Sequence, residues 1–74
     1  MYKLTINNQS YIFTDNQQWL DNNTFCVIAT CNGDEYCISY DVPTVPAGEE
    51  NSIDWEMPST IEWLSDGAII YAAS

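Results

Sequence analysis

The alternation of apolar and polar residues is clearest over residues 24–41, which read TFCVIATCNGDEYCISYD. Asn32-Gly33 stands between two alternating runs, and a two-residue hairpin turn needs a positive φ at both positions, which Asn and Gly tolerate best. Such a turn creates three apolar cross-strand pairs: Ala29 with Tyr36, Val27 with Ile38, and Phe25 with Tyr40. One face of this predicted hairpin is therefore apolar, while the other is only half polar, and we expect the hairpin to form the centre of the fold.

A second hairpin is predicted near the N-terminus, over residues 2–6 and 10–14. Asn7-Asn8 is a suitable turn between the two runs, because asparagine tolerates the left-handed backbone conformation. This turn gives two further apolar pairs: Leu4 with Tyr11, and Tyr2 with Phe13. The N-terminal hairpin therefore also has one apolar face.

Two short helices are predicted from capping-box patterns, in which a cap residue is followed three positions later by Glu or Gln. The patterns pair Asp15 with Gln18, and Ser59 with Glu62. They predict helices over residues 16–21 and 60–66, and Gly67 stands where a glycine commonly ends a helix. The first helix has only two turns, so it is expected to form only if it packs on the sheet.

The rest of the chain is read as a loop and a last strand. Residues 42–57, VPTVPAGEENSIDWEM, contain two prolines, a glycine and four acids without a clear period, which favours a loop. Residues 68–73, AIIYAA, form an apolar run that predicts a buried strand. The element order is therefore ββαββαβ. It predicts a single α+β domain over residues 1–74, an antiparallel five-stranded sheet with two short helices packed on one face.

Composition and charge narrow the function. The chain has 46% hydrophobic residues, too many for a disordered acidic tail, and we expect it to fold. Its formal charge is −10, from eleven acids and the single base Lys3. A nucleic-acid-binding protein needs a basic patch, so direct binding of nucleic acid is excluded.

Catalysis is not predicted. The sequence contains no His and no Arg, and it has no glycine-rich phosphate loop. Carboxylate-only chemistry, as in glycosidases, needs a cleft for which 74 residues leave little room. No calcium-loop pattern occurs, and zinc lacks histidine ligands. We therefore expect neither an enzyme nor a bound cofactor or metal.

The three cysteines predict a cytoplasmic protein. Cys26, Cys31 and Cys37 show no Cys-x-x-Cys spacing, and in the predicted register Cys26 and Cys37 are diagonal neighbours, which we read as a poor disulfide geometry. We therefore expect three free thiols in a reducing cytosol. The N-terminal residues contain no apolar leader, and no run approaches the length that spans a membrane, so no membrane association is predicted.

The acidic residues are unevenly distributed and form the candidate site. The candidate partner-binding residues are Asp34, Glu35, Glu49, Glu50, Asp54, Trp55, Glu56, Glu62 and Asp66. Same-face residues of a strand lie about 6.6 Å apart, so rows of carboxylates can imitate a phosphate backbone. Such a surface attracts the basic groove of a nucleic-acid-binding protein. Trp55 is the candidate aromatic anchor, and its alternative role is a core tryptophan that covers the sheet.

A small, folded, histidine-free and strongly acidic chain without a catalytic constellation resembles phage-encoded inhibitors of host defence. Anti-CRISPR proteins and DNA mimics of the anti-restriction type are the families concerned. The resemblance covers size, charge and fold style and includes no motif, so no residue role is carried over. It implies a protein that binds a CRISPR effector or another nucleic-acid-binding defence protein and blocks its DNA, guide-RNA or protospacer-adjacent-motif site.

Three alternatives remain open at this point. In the first, the acidic residues form a solvated face whose charge keeps the protein soluble. In the second, the chain is a small dimerising interaction module that pairs through the half-apolar face bearing Cys26, Ile28 and Cys37. In the third, it is an immunity or antitoxin protein that neutralises a basic nuclease.

Overall fold

The computed structural model describes residues 2–21, 23–42 and 53–73, and these residues form an all-β fold. The strands are β1 (Lys3–Ile6), β2 (Gln9–Trp19), β3 (Thr24–Cys31), β4 (Asp34–Asp41), β5 (Thr60–Trp63) and β6 (Ala68–Ala72). Each strand pairs antiparallel with its neighbour in sequence, giving one sheet in the order β1-β2-β3-β4-β5-β6 that curls into a half-barrel. The predicted α+β class with five strands and two helices is therefore wrong.

Both predicted hairpins are confirmed with their registers. The three apolar pairs of the β3–β4 hairpin are those expected from the Asn32-Gly33 turn, where φ is 53° and 85°. In the N-terminal hairpin, Leu4 lies opposite Tyr11, and Asn7 and Asn8 have positive φ angles of 51° and 66°. Turn chemistry and alternation together therefore predict these four strands correctly.

The first predicted helix is instead the second half of β2. This long strand pairs with β3 on both sides of an irregularity between Phe13 and Gln17. Polar side chains satisfy the backbone there: the Thr14 hydroxyl donates to Ile28 O at 2.7 Å and accepts from Asn16 N at 3.2 Å. The extended chain also brings the Trp19 ring to 5.2 Å from that of Phe25, a contact that outweighs a weak capping box.

The second predicted helix is a β-hairpin formed by β5 and β6. In β5, Ile61 is fully buried while its neighbours Thr60 and Glu62 are only partly buried, so the segment also fits the two-residue period of a strand. Gly67 has a φ of +77°, and its N–H donates to Trp63 O at 2.8 Å. The glycine therefore does occupy a left-handed position, but it closes a hairpin turn instead of a helix.

The last strand is present but exposed. β6 forms one edge of the sheet, with Ile69 55% and Ile70 46% exposed, so the prediction of a buried strand is wrong. A bulge between Ile61 and Glu62 changes the register of this hairpin, so the two isoleucines do not follow a simple alternation.

The inner face of the curled sheet carries the core. Its buried side chains are Leu4, Tyr11, Phe13, Phe25, Val27, Ala29, Cys31, Ile38, Tyr40 and Ile61. Residues 53–58 cover part of this face, with Ile53 and Pro58 buried. Of the predicted loop, residues 43–52 lie outside the described residues, while residues 53–57 contain neither helix nor strand, as expected.

Cys26 and Cys37 form a disulfide between β3 and β4, with their Cα atoms 6.4 Å apart. The register places Cys26 opposite Ser39 and Cys37 opposite Ile28, so the two are diagonal neighbours. The expectation that they stay free is wrong, because right-handed twist shortens one diagonal of a hairpin and this separation lies within the roughly 4.4–6.8 Å range of disulfides. Cys31 is free and buried.

Candidate functional site

Four of the predicted carboxylates lie together at one end of the sheet, where the β3–β4 turn adjoins the β5–β6 turn. They are Asp34, Glu35, Glu62 and Asp66, and we call this group the acidic corner. The backbone brings the two turns together, since Leu64 N donates to Glu35 O at 3.1 Å. Asp66 is held by its own turn, where its Oδ1 accepts from Ala68 N at 2.9 Å.

The negative potential of the acidic corner is not cancelled within the chain. Eleven acids face a single lysine or arginine in the whole sequence, so most carboxylates have no cationic side chain available to them. Asp34 and Glu35 are exposed to solvent, and Glu62 is partly buried. An uncompensated cluster of this kind attracts positively charged surfaces over a distance set by the salt concentration.

Exposed apolar side chains surround the acidic corner. Leu64 is 43% exposed, and the side chains of Ile69 and Ile70 in β6 are exposed to a similar or greater extent. Glu62 lies opposite Cys37 on one side and opposite Ile69 on the other, so carboxylates and apolar side chains are interleaved on the sheet. This combination is typical of protein–protein interfaces, in which apolar anchors lie within a polar rim.

Trp55 lies at a different place, on the inner face. Its ring centroid is 5.3 Å from that of Tyr40, 5.6 Å from that of Phe25 and 6.1 Å from that of Phe13, all in edge-on arrangements. The Tyr40 hydroxyl donates to Trp55 O at 2.6 Å, which fixes the backbone of the segment. Trp55 is therefore largely a covering tryptophan of the core, the alternative role that the sequence left open.

One edge of Trp55 remains open to a small cavity. The cavity has a volume of about 120 Å³ and is lined by Tyr2, Phe13, Gln17 and Trp55; we call it the aromatic pocket. The Tyr2 and Phe13 ring centroids are 5.0 Å apart, with their planes inclined by 57°. Asp54 and Glu56 flank Trp55 in sequence and are exposed, so carboxylates lie beside the pocket.

The tyrosine pKa values show how close these groups are. Burial raises the pKa of Tyr40 strongly, and the charges of Tyr2 and Asp54 add to the effect. Burial also raises the pKa of Tyr2, with further contributions from the charge of Glu56 and from hydrogen bonding to the Glu56 side chain. Asp54 and Glu56 therefore lie within electrostatic reach of the tyrosines around the aromatic pocket.

The structure thus divides the predicted site into two groups. The acidic corner adjoins the start of β4, whereas Trp55 of the aromatic pocket packs on Tyr40 near the end of that strand, six residues or about 20 Å further on. Glu49 and Glu50 lie outside the described residues. Of the nine predicted residues, the structure therefore places four at the acidic corner and three, Asp54, Trp55 and Glu56, at or beside the aromatic pocket.

Several residues of both groups were not predicted from the sequence. Tyr2, Phe13 and Gln17 line the aromatic pocket, and Leu64 and Ile69 flank the acidic corner. The pairing of Tyr2 with Phe13 gave one usable signal, because it placed two aromatic rings side by side at an edge of the sheet. No sequence signal marked Gln17, because its segment was predicted to be a helix. Ile69 was not predicted to be exposed, because the apolar sequence of β6 indicated a buried strand.

The described residues contain no cluster of three or more His, Cys, Asp or Glu side chains placed to hold a metal ion. The aromatic pocket is also small, since pockets for small-molecule ligands and cofactors usually measure about 300–1,000 Å³. Among the described residues no helix is long and apolar enough to cross a membrane. The described carboxylates and exposed apolar side chains can attract a positively charged group and pack against it.

Fold and site together define a class: a small all-β meander protein with two acidic binding features on one curled sheet. No protein-family model, no curated protein sequence and no solved structure matches the chain. Its function must therefore be argued from its own residues.

Proposed function

We propose that this protein binds a basic, nucleic-acid-binding protein through the acidic corner and thereby blocks the nucleic-acid site of that partner. The observation that supports this proposal most is the interleaving of Glu35 and Glu62 with the exposed side chains of Leu64 and Ile69. A surface kept acidic only for solubility gains nothing from apolar side chains placed among its charges.

Charge and apolar contact have separate roles in this proposal. Carboxylates speed up association by steering a cationic groove toward the corner, and this effect weakens as salt screens it. The apolar side chains slow dissociation, because their surface is buried against the partner and must be exposed to water again when the complex separates. Affinity should therefore fall with salt through the association rate while the dissociation rate changes less.

The resemblance to phage-encoded inhibitors suggests which partner to test first. A CRISPR effector or another defence nuclease holds nucleic acid in a channel lined with Lys and Arg. We place the encounter in the host cytoplasm, where such proteins act. Thiols are kept reduced there, so binding is expected to survive reduction of the Cys26–Cys37 disulfide.

The experiment is a capture of partners from host lysate at low and high salt, followed by nuclease assays on the proteins recovered. A captured protein that binds nucleic acid and loses activity when the acidic chain is added supports the proposal. Capture of a toxin nuclease encoded beside the gene of this protein identifies an immunity protein instead, which would also bind a basic nuclease through its carboxylates. Capture of proteins without nucleic-acid sites contradicts the proposal.

A pair of matched variants then tests the location. Asp34→Lys with Glu35→Lys reverses charge at the acidic corner, and Asp15→Lys with Asp41→Lys reverses the same number of exposed charges elsewhere. The corner variant is expected to weaken binding at least tenfold more than the control. Equal losses in the two variants indicate that only total charge matters, and that outcome removes the acidic corner from the proposal.

A second candidate function is a dimerising interaction module. The specific observation is β6, an edge strand with one free side whose five residues AIIYA carry no charge in a chain of charge −10. Two copies can add strand to strand there without bringing carboxylates of β6 together. The half-apolar face first considered for dimerisation is less open, because Cys26 is buried and Cys37 is partly buried.

Sedimentation at several concentrations separates the two candidates. A dimer that Ile70→Lys converts to monomer, with unchanged partner binding, assigns β6 to self-association alone. A strict monomer at all concentrations rules out the dimerising module.

A further inference from the structure

The aromatic pocket has walls that suit a positive charge. Tyr2, Phe13 and Trp55 present their rings at large mutual angles, 57° between Tyr2 and Phe13 and 73° between Phe13 and Trp55. The faces of aromatic rings are negatively polarised, so a ring that presents its face to the pocket favours a positive charge there. Cations within about 6 Å of such ring centroids are attracted by the ring quadrupole.

Acceptor oxygens are present at the pocket and beside it. Gln17 donates from Nε2 to Thr14 O at 3.0 Å, an interaction that orients its amide and leaves Oε1 as the acceptor of that group. Glu56 is exposed and follows Trp55 in sequence, so it adds a carboxylate beside the pocket; burial raises the pKa of Tyr2, and the charge of Glu56 adds to the effect. A ligand that donates several hydrogen bonds is therefore matched better than one that accepts them.

Size restricts the ligand further. A volume of about 120 Å³ is well below the roughly 300–1,000 Å³ of pockets that hold small-molecule ligands and cofactors. A side-chain head group of four heavy atoms fills such a space, whereas a nucleotide or a cofactor does not. Among cationic side chains, the planar guanidinium has five N–H donors and stacks on aromatic faces.

We propose that the aromatic pocket binds the guanidinium group of an arginine side chain of the partner protein, with Trp55 and Tyr2 as stacking surfaces and Gln17 and Glu56 as hydrogen-bond acceptors. This assignment rests on the proposed function, because it takes the partner to be a basic protein. It adds a second contact region, on the inner face of the sheet, to the acidic corner.

The pocket is prepared for this role before binding. Trp55 is fixed on the inner face by its three aromatic neighbours and by the hydrogen bond from Tyr40 to its carbonyl oxygen. A binding surface that is rigid in the free protein loses less conformational freedom on association. The arginine side chain is then the main group that must be ordered.

The test uses a small probe instead of the partner. N-acetyl-arginine amide is titrated into the full protein, and the side-chain NMR signals of Trp55 and Gln17 are followed. N-acetyl-citrulline amide has nearly the same shape without the charge, and tetramethylammonium has the charge without N–H donors. We expect saturable shifts with the arginine probe at millimolar concentration, and at least fivefold weaker binding of the other two.

Two variants of equal charge locate the site. Glu56→Gln is expected to weaken the arginine probe at least threefold, and Glu35→Gln, which removes the same charge at the acidic corner, is expected to leave it unchanged. Tyr2→Leu, at a residue that is 36% exposed, should also weaken the probe without unfolding the sheet. Retained binding in both Glu56→Gln and Tyr2→Leu overturns the assignment.

The outcome separates this inference from the proposed function. If no probe shifts Trp55 or Gln17 while the corner variants still abolish capture of the partner, the pocket assignment is wrong and the proposed function stands. If the arginine probe binds as expected but reversal of the corner changes nothing, the pocket assignment stands and the corner does not carry the function.

Discussion

At the scale of single residues, Tyr40 connects the core to the candidate site. Its ring is buried in β4, and its hydroxyl holds the backbone of Trp55, so the placement of the aromatic pocket depends on one side-chain hydrogen bond. The sequence placed Tyr40 correctly on the apolar face of its strand, because alternation determines the face. It gave no indication of the bond to Trp55, since that contact joins residues 15 positions apart across a loop without a period.

The raised pKa of Tyr40 predicts a loss of stability at alkaline pH. The unfolded chain releases the phenol proton near pH 10, while burial keeps the folded group protonated to higher pH. Above pH 10 the folded state therefore binds more protons than the unfolded state, and the free energy of unfolding falls as pH rises. Denaturant titrations at a series of pH values should show constant tyrosine-linked stability below pH 10 and a decline above it.

The variant Tyr40→Phe is the control for this effect. It lacks the ionisable group, so its alkaline decline should be shallower, with the remainder due to Tyr2, Tyr11 and Tyr36, whose pKa values burial also raises. At neutral pH the variant should be less stable by about 1–3 kcal/mol, because Trp55 O loses its donor. An unchanged alkaline slope would contradict the assignment to Tyr40.

At the scale of elements, capping boxes predict helices for two segments that form strands in the structure, and pairing with a neighbouring strand determines the outcome. The Asp15 and Ser59 capping boxes are worth about 1 kcal/mol each, whereas an added strand gains ladder hydrogen bonds and cross-strand contacts along its whole length. Residues 60–63 satisfy both patterns, since Ile61 is inward in either case. The structure of such a short segment cannot be predicted without knowing which strand pairs with it. The two asparagine-containing turns are different, because each turn joins two strands that pair with each other, so the partner of each strand is known from the sequence.

Leu64 distinguishes the hairpin from the predicted helix. In the helix, Ile61 and Leu64 are both anchors, but in the structure Ile61 is fully buried and Leu64 is 43% exposed. Leu64→Ala should therefore change the free energy of unfolding by less than about 0.5 kcal/mol. Ile61→Ala should cost about 2–5 kcal/mol, as expected for a buried aliphatic side chain. Equal, large losses in thermal or denaturant unfolding would favour the helix instead.

The disulfide gives a second prediction at this scale. Cys26 and Cys37 are 11 residues apart, and closing a loop of this length removes chain entropy from the unfolded state worth about 2–3 kcal/mol. Addition of a thiol reductant should lower the denaturation midpoint accordingly. A variant with both Cys26→Ala and Cys37→Ser keeps Cys31 and should be insensitive to reductant. Identical midpoints for the native chain with and without reductant would show that the disulfide does not stabilise the fold.

At the scale of the whole molecule, repulsion among the carboxylates destabilises the folded protein. The principal dimensions are 34 × 25 × 19 Å, so the carboxylates of the described residues lie within a few tens of ångströms of one another. At 0.01 M salt the screening length is about 30 Å and the whole set repels itself, whereas at 0.15 M it is about 8 Å and only neighbours interact. The formal charge of −10 was plain from the sequence, but the placement of six carboxylates in two regions of the sheet depended on the topology.

This difference in screening predicts that salt affects stability and binding in opposite directions. Raising sodium chloride from 0.01 M to 0.15 M should raise the melting temperature of the free protein, because self-repulsion in the compact state is reduced. The same change should weaken capture of a basic partner, because it screens the attraction. The Asp15→Lys, Asp41→Lys variant has a smaller negative charge, so its melting temperature should respond less to salt. A melting temperature that does not rise with salt would mean that the charges are too far apart to repel, and they would then be too far apart to act together on a cationic groove.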